Sequence, residues 1–125
     1  MSRKTHIMSF INDKKCPLLD YIKKGIKTVE GRKNSPQYQQ IKVGDFIIFK
    51  AKNENDVKVE VTYINKYKSL TDYINKETVE KTIPCAKDYR EAKDIYNKWS
   101  THDERKALRE KYGYAFLGIG IKITE

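Results

Sequence analysis

Three residues in the stretch Gly-Ile-Lys-Thr-Val-Glu-Gly-Arg, residues 25–32, could do chemistry together. Arg32 offers a planar fork of N–H donors that can grip a phosphate at two points or stack on a base. Lys27 offers a compact ammonium whose pKa would fall in a cleft without water, which would make it a general base or a nucleophile. Glu30 can accept from the exocyclic amine of a base, or orient Lys27 and Arg32. The same residues would also fit an exposed ion pair worth at most about 1 kcal/mol.

The local backbone decides which of these side chains share a face. In an extended chain Thr28, Glu30 and Arg32 project to one side. Val29 then points the other way, into the core. Strict alternation would put Lys27 on the side of Val29, so Lys27 reaches the cleft only if the strand begins irregularly after the preceding glycine. The expected site is a polar cleft that contains the Thr, Glu and Arg, with Lys27 added on this condition.

Positive charge surrounds this stretch. The chain has 26 Lys+Arg against 17 Asp+Glu, a net charge of +9, which attracts polyanions and speeds their encounter. Tyr21 and Tyr38 are interleaved, and aromatic rings stack on unpaired bases; half-buried core positions are the alternative for both. We expect Lys24, Lys33 and Tyr38 to join the ligand-binding residues. A lysine-rich composition from an AT-rich genome would give the same charge without any polyanion. The basic residues of the first third are Lys14, Lys15, Lys23, Lys24, Lys27, Arg32, Lys33 and Lys42.

The remaining reactive side chains point to no metal or cofactor. The two histidines lack the neighbours of a metal site. Cys16 and Cys85, the two cysteines of the chain, lie far apart in sequence and favour a reducing compartment over a disulfide framework. Trp99 falls on the apolar face of a predicted helix and is expected in the core, while residues 103–106 are expected to form a solvated, mixed-charge face. Without an apolar segment for a signal peptide or a membrane span, we expect a soluble protein of the cytoplasm or nucleus.

Strands are predicted at both ends of the chain. Residues 6–11 and 27–33 can run extended, and a tight turn at 42–45 precedes a buried strand at 46–51. Residues 57–63 alternate apolar and polar side chains, and the apolar positions 117, 119, 121 and 123 alternate in the same way. Period-two alternation is typical of a sheet with one wet face.

Helices are predicted between these strands. Pro17 suits the first position of a short helix that Gly25 ends, and a polar loop is expected at 34–37. The stretches that begin at Ser69, Asp88 and Thr101 each resemble a capping box at a helix start. The 125 residues suffice for one domain. The predicted fold is α+β, a partly closed barrel with helical insertions.

The order of these segments resembles the ASCH family (activating signal cointegrator homology). The stretch at 25–32, the Ile-Lys-Val-Gly-Asp-Phe-Ile-Ile-Phe of 41–49, the helix ending at Trp99 and the closing strand carry the resemblance, which spans about residues 6–123. It implies a barrel like that of the PUA domain, with five to six strands and two to four short helices. It also implies a cleft suited to RNA or modified nucleosides.

Two classes of function follow from the resemblance. The first is a module, expected to be monomeric, that binds RNA or another single strand without a membrane partner. The second is a small amidohydrolase acting on N4-acetylcytidine, as in one branch of the family, which uses a Lys, a Thr three residues later and a distant Glu. Lys27 matches the Lys, Glu30 stands where the Thr is expected, and Glu77 or Glu80 could be the distant carboxylate. Ribonuclease activity is neither supported nor excluded. We favour binding over catalysis, because the carboxylate of Glu30 cannot supply the hydroxyl of the expected Thr.

Overall fold

The computed structural model of the chain describes residues 3–10 and 12–124. These residues form a five-stranded sheet, curved into a half-barrel, and six helices, so the α+β class predicted from the sequence is confirmed. The strands are β1 (Thr5–Ser9), β2 (Val29–Lys33), β3 (Phe46–Lys50), β4 (Val57–Tyr67) and β5 (Phe116–Ile123). The helices are α1 (Leu18–Lys23), α2 (Pro36–Gln39), α3 (Leu70–Glu77), α4 (Val79–Thr82), α5 (Tyr89–Trp99) and α6 (His102–Tyr112).

The sheet has the strand order β1-β3-β4-β5-β2. β1 pairs with β3 in parallel, and the other neighbours are antiparallel. The register between β4 and β5 shifts at Val61/Tyr63, and such a bulge bends a strand and increases its twist. β2 lies at one edge of the sheet, held by β5, and Lys33 at its carboxyl end pairs with Glu104 of α6 at 2.9 Å.

Two hydrophobic clusters pack the sheet and the helices together. The first joins α1 to β3, β4 and β5 through residues such as Leu19, Ile47 and Val59, which are fully buried. The second joins β2 and β5 to α3 and α5, and its centre is the buried ring of Tyr73. The stretch at 25–32 runs between the two clusters, because Val29 belongs to the second while α1, immediately before it, packs in both.

Side-chain caps begin the three longest helices at the residues that the sequence predicts. Ser69 accepts from the backbone N–H of Asp72 at 3.0 Å, and Asp88 accepts from that of Glu91 at 2.9 Å. Thr101 begins α6 with a complete capping box. Each cap satisfies a backbone donor that the first turn of a helix leaves free.

The helix count differs from the prediction of two to four. α2 and α4 are single turns of four residues, too short to show any hydrophobic periodicity. α2 begins inside the loop predicted at 34–37, where Pro36 occupies the first helical position. β1 ends at Ser9 rather than at residue 11; Ile11 lies outside the described residues. None of the described helices is long and apolar enough to cross a membrane.

The expectation of two separate thiols is wrong. Cys16 and Cys85 form a disulfide, with their Cα atoms 5.2 Å apart, although 69 positions separate them in sequence. Leu18 and Ala86, which lie close to the two cysteines in sequence, pack in the same cluster. This packing brings the start of α1 to the segment before α5, and sequence distance gives no sign of it.

Candidate functional site

Lys27 reaches the site because the chain is still irregular at this point. Gly25, at φ +74°, ends α1 in the left-handed region that favours glycine. The carbonyl of Tyr21 then accepts from the N–H groups of residues 26 and 27, and β2 begins only at Val29. The irregular start that Lys27 required is therefore present.

The Lys27 ammonium is buried among oxygen atoms. Its Nζ donates to the carbonyl of Val29 at 2.5 Å and to the carbonyl of Thr82. Glu30 Oε1 lies 3.3 Å from the same nitrogen, and Lys27 is only 2% exposed. The ammonium therefore has two hydrogen-bond acceptors and a carboxylate counter-ion for its three N–H donors.

Arg32 grips the other oxygen of Glu30. Its Nε and Nη2 donate to Glu30 Oε2 at 3.0 and 2.7 Å, and its Nη1 donates to the hydroxyl of Tyr38 at 3.2 Å. The guanidinium also lies 5.3 Å from the centre of the Tyr38 ring. Lys27, Glu30 and Arg32 thus form one network, in which a single buried carboxylate lies between a buried ammonium and a half-buried guanidinium.

Burial and charge act in opposite directions on this network. Burial lowers the pKa of Lys27 below its ordinary value, and the carboxylate of Glu30 limits the fall. Burial alone would raise the pKa of Glu30, but Arg32 and Lys27 together hold it below 4.5, its ordinary value. Burial would likewise lower the pKa of Arg32, yet the contact with Glu30 raises it. Glu30 and Arg32 are therefore both charged at neutral pH.

A cavity of about 430 Å³ opens above this network. Five aromatic side chains line it, with Lys33 and Lys98 as additional cations, and we call it the aromatic cavity. The volume and the mixture of apolar walls with a few polar groups are typical of small-molecule sites. The lining residues are Ser9, Phe10, Leu18, Lys27, Glu30, Gly31, Arg32, Lys33, Tyr38, Tyr96, Lys98, Trp99, Ser100 and Phe116.

Trp99 lines this cavity and is not a core residue, which corrects the expectation from the sequence. The ring of Tyr96 packs at about right angles to that of Trp99, 5.5 Å away, and holds it in place. The rest of the Trp99 side chain is accessible to solvent, and the residue is 47% exposed. Its position on the apolar stripe of α5 is real, but α5 ends there, and the core ends one turn earlier at Tyr96.

A chain of aromatic contacts fixes the wall that carries Trp99. Tyr96 packs edge-on against Tyr73 and Phe116, at 5.5 and 5.7 Å, and its hydroxyl lies 2.9 Å from that of Tyr73. Gly31 lets Tyr73 approach, since a Cβ there would lie 2.3 Å from the Tyr73 hydroxyl. Burial raises the pKa values of Tyr73 and Tyr96, so both stay neutral hydrogen-bonding groups.

The other predicted ligand-binding residues divide between two places. Tyr38 and Lys33 line the aromatic cavity, although Lys33 also pairs with Glu104 at 2.9 Å. Thr28 and Lys24 instead line a different cavity, of about 370 Å³. The predicted grouping of Thr28 with Glu30 fails because Thr28 precedes β2, where strand alternation does not apply.

The two candidate distant carboxylates lie outside the cavity. Glu80 is exposed on the single turn α4. Glu77 is buried, and it accepts from the hydroxyls of Tyr63, at 2.7 Å, and Tyr67 and from the Asn65 amide. Burial and the Glu77 carboxylate raise the pKa of Tyr67 to about 12. Neither Glu77 nor Glu80 touches the network of Lys27.

Sequence reasoning missed several residues that build the site. Phe10, Lys98 and Ser100 line the cavity, and no local pattern distinguishes them. Arg105 lies in the stretch predicted as solvated, yet it is only 5% exposed. It donates to Ser100 Oγ at 3.0 Å and to the Asn97 side chain at 2.6 Å, so it supports the end of α5 that carries Trp99.

The histidine at position 6 has a structural partner. His6 Nε2 lies 2.8 Å from Asp45 Oδ2, at the turn where Gly44 adopts φ +93°. Across residues 3–10 and 12–124, no three His, Cys, Asp or Glu side chains are grouped as metal ligands.

Comparisons with known proteins identify the fold. The family model described as the ASCH domain matches residues 15–120. The crystal structure of the hypothetical protein PH0355 has a TM-score of 0.77 and 28% identity, covering 96% of this chain and 99% of that one. The solution structure of protein PF0455 from Pyrococcus furiosus has a TM-score of 0.71 and 28% identity, covering 97% and 98%.

A more distant structure supports the same architecture. The ASCH domain from Lactobacillus crispatus JV V101 has a TM-score of 0.63 at 13% identity, covering 96% of this chain and 79% of that one. At this identity the likeness concerns the fold alone. A search of curated protein sequences found no significant match to the chain.

Proposed function

The chain belongs to the ASCH domain family, and we propose that it binds an unpaired base of single-stranded RNA, or of a modified nucleoside, in the aromatic cavity. The observation that carries the proposal is the charged network at its base. Glu30 and Arg32 are held rigidly by each other, and partly exposed rings stand above them.

The network keeps some hydrogen-bonding capacity for a ligand. Arg32 uses three of its five N–H groups on Glu30 and Tyr38, which leaves two. Glu30 Oε1 is contacted by Lys27 within the described residues, and a carboxylate oxygen can accept twice. The free N–H groups of Arg32 would donate to a ring nitrogen of a base, and Glu30 Oε1 would accept from an exocyclic amine beside that nitrogen, on the same edge. Cytosine, adenine and guanine have such an edge, and uracil has no amine.

The aromatic walls supply the second part of base recognition. Trp99 is 47% exposed at the cavity, and Tyr38 is fixed by its contact with Arg32. Stacking on such rings contributes about 1–3 kcal/mol per base. The net charge of +9 adds attraction for the phosphates of a strand.

Calorimetric titration with the four ribonucleosides tests the proposal. We expect binding of cytidine, adenosine or guanosine, at least about fivefold weaker in Trp99→Ala, since that variant loses one stacking surface. Arg32→Gln, which removes the guanidinium group, should also weaken nucleoside binding. Tyr114→Ala is the matched control, because Tyr114 is an exposed aromatic residue (38%) outside the cavity. Failure of all four nucleosides to bind, or equal effects of Trp99→Ala and Tyr114→Ala, would refute base binding.

Amidohydrolysis of N4-acetylcytidine is the second candidate, and the burial of Lys27 favours it. Burial lowers the pKa of this lysine, as a general base would need. Against it, Lys27 already donates to two carbonyls and pairs with the Glu30 carboxylate, and Glu30 offers no hydroxyl. We expect no cytidine release from the acetylated nucleoside. Rapid release that Lys27→Ala abolishes would instead establish the hydrolase.

A further inference from the structure

A third cavity, of about 370 Å³ and separate from the one that Thr28 and Lys24 line, adjoins the aromatic cavity. Leu18, Lys98 and Trp99 line both this cavity and the aromatic cavity, so the two share one wall. We call this third cavity the side groove; its other walls are Asp13, Lys15, Cys16, Cys85, Glu91 and Ile95. We propose that the side groove holds the nucleotide next to the base in the aromatic cavity. The proposal rests on the proposed function and names the ligand as a strand of at least two nucleotides, rather than a free nucleoside.

The position of Trp99 supports two neighbouring bases. It is 47% exposed and borders both cavities, so its indole is accessible from either side. Consecutive unpaired bases commonly stack on successive aromatic surfaces of a protein. Ile95 and the Cys16–Cys85 disulfide also line the side groove and give a second base an apolar surface besides Trp99.

The charges of the two cavities place the phosphate at their border. The side groove carries two carboxylates and two lysines, so its charges nearly cancel. Asp13 accepts from the backbone N–H of Cys16 at 2.6 Å, and Glu91 from that of Lys87 at 3.3 Å. Such a groove suits a base and its sugar better than a phosphate. The phosphate that links two nucleotides would lie at the shared wall, between the two bases.

Lys98 stands at this shared wall. It is exposed, and over residues 3–10 and 12–124 it has no carboxylate within salt-bridge distance and no side-chain hydrogen bond. A free ammonium at the end of its stem can follow a phosphate without breaking an existing contact. The geometry thus gives each part of a dinucleotide its own surface: two bases, and one phosphate at Lys98.

Tryptophan fluorescence gives a direct test, because Trp99 is the one tryptophan in the chain. The wild type is titrated with each ribonucleoside and with the matching dinucleoside monophosphate. We expect the dinucleoside monophosphate to bind at least about tenfold tighter, from a second stacked base and one phosphate contact. Lys98→Gln should weaken dinucleoside binding several-fold more than nucleoside binding, because only the dinucleoside monophosphate carries the phosphate that Lys98 would contact. Lys106→Gln, an equal loss of charge at an exposed position on α6 outside both cavities, should change neither affinity.

The location of the second nucleotide is tested by NMR. The δ-methyl resonance of Ile95 should shift on binding the dinucleoside monophosphate and stay in place with the nucleoside. Equal affinities for the two ligands, or a tighter dinucleoside complex with an unmoved Ile95 resonance, would overturn the side groove while leaving the base cavity intact. Binding of neither ligand would overturn both proposals.

Discussion

Glu30 contacts both cations of the site, the buried Lys27, with its Nζ at 3.3 Å, and the half-buried Arg32, with its Nη2 at 2.7 Å. Glu30→Gln would keep the shape of the side chain and remove its charge, so that the Lys27 ammonium would stay buried without a counter-ion. Removing one partner of a buried ion pair costs about 3–5 kcal/mol. We expect the free energy of unfolding in urea to fall by about 3 kcal/mol.

The matched control is Glu80→Gln, the same change at an exposed carboxylate. It should alter stability by no more than about 0.5 kcal/mol. A loss below about 1 kcal/mol in Glu30→Gln would show that the carbonyls around Lys27 hold its charge without the carboxylate.

The pKa of the Glu30 carboxylate predicts how the free energy of unfolding depends on pH. The pKa of Glu30 in the folded protein lies below 4.5, its ordinary value, because Arg32 and Lys27 outweigh the effect of burial. A carboxylate whose pKa is lower in the folded than in the unfolded protein stabilises the fold fully at pH values above its unfolded pKa. This contribution disappears as the pH falls through the folded pKa. We expect urea midpoints to fall between about pH 5 and pH 2, less steeply in Glu30→Gln. Parallel curves for the two proteins would contradict this assignment.

At the scale of the elements, α6 depends on its capping box. Thr101 Oγ1 accepts from the N–H of Glu104 at 3.1 Å, and the Glu104 carboxylate accepts in return from the N–H of Thr101 at 3.0 Å. The bonds from Thr101 and the contact with Lys33 lower the pKa of Glu104 to about 2. Thr101→Ala should cost about 1 kcal/mol of unfolding free energy. Thr101→Ser keeps the oxygen and should stay near the wild type, and equal losses in the two variants would exclude the cap as the cause.

The elements also show what the sequence can predict and what it cannot. Caps are local signals, because donor and acceptor lie three residues apart, and all three predicted ones are present. The exposure of Trp99 was not predictable in this way, since its periodicity is that of a core residue while the core ends one turn earlier, at Tyr96. The burial of the Lys27 ammonium could not be predicted from the local sequence either, because one of its acceptors, the carbonyl of Thr82, lies 55 positions away. Local sequence patterns thus predict the helices and strands. The cavity could not be predicted from them, because it forms between segments that are distant in sequence.

At the scale of the whole molecule, the net charge of +9 predicts a salt dependence of strand binding. For single strands the logarithm of affinity falls with the logarithm of salt concentration by about 0.7 per neutralised phosphate. Three to five contacts would give a slope of roughly 2 to 3.5, measurable by fluorescence titration with a short RNA. Lys98→Gln should lower the slope by about 0.7. Lys50→Gln, whose lysine pairs with Asp56 at 2.9 Å, should leave it unchanged, and a slope near zero in the wild type would contradict the polyanion argument.

The Cys16–Cys85 disulfide joins the two segments that frame the site, since Cys16 precedes α1 and Cys85 precedes α5. Closing a loop across 69 positions removes enough freedom from the unfolded chain to stabilise the fold by roughly 4 kcal/mol. We expect a reductant to lower the free energy of unfolding by about this amount. It should also weaken dinucleotide binding more than nucleoside binding, because the disulfide forms a wall of the side groove. The double variant Cys16→Ser/Cys85→Ser should match the reduced protein and be insensitive to reductant. Unchanged stability after thiol titration has shown both sulfurs reduced would mean that packing alone, through Leu18 and Ala86, holds α1 against the segment before α5.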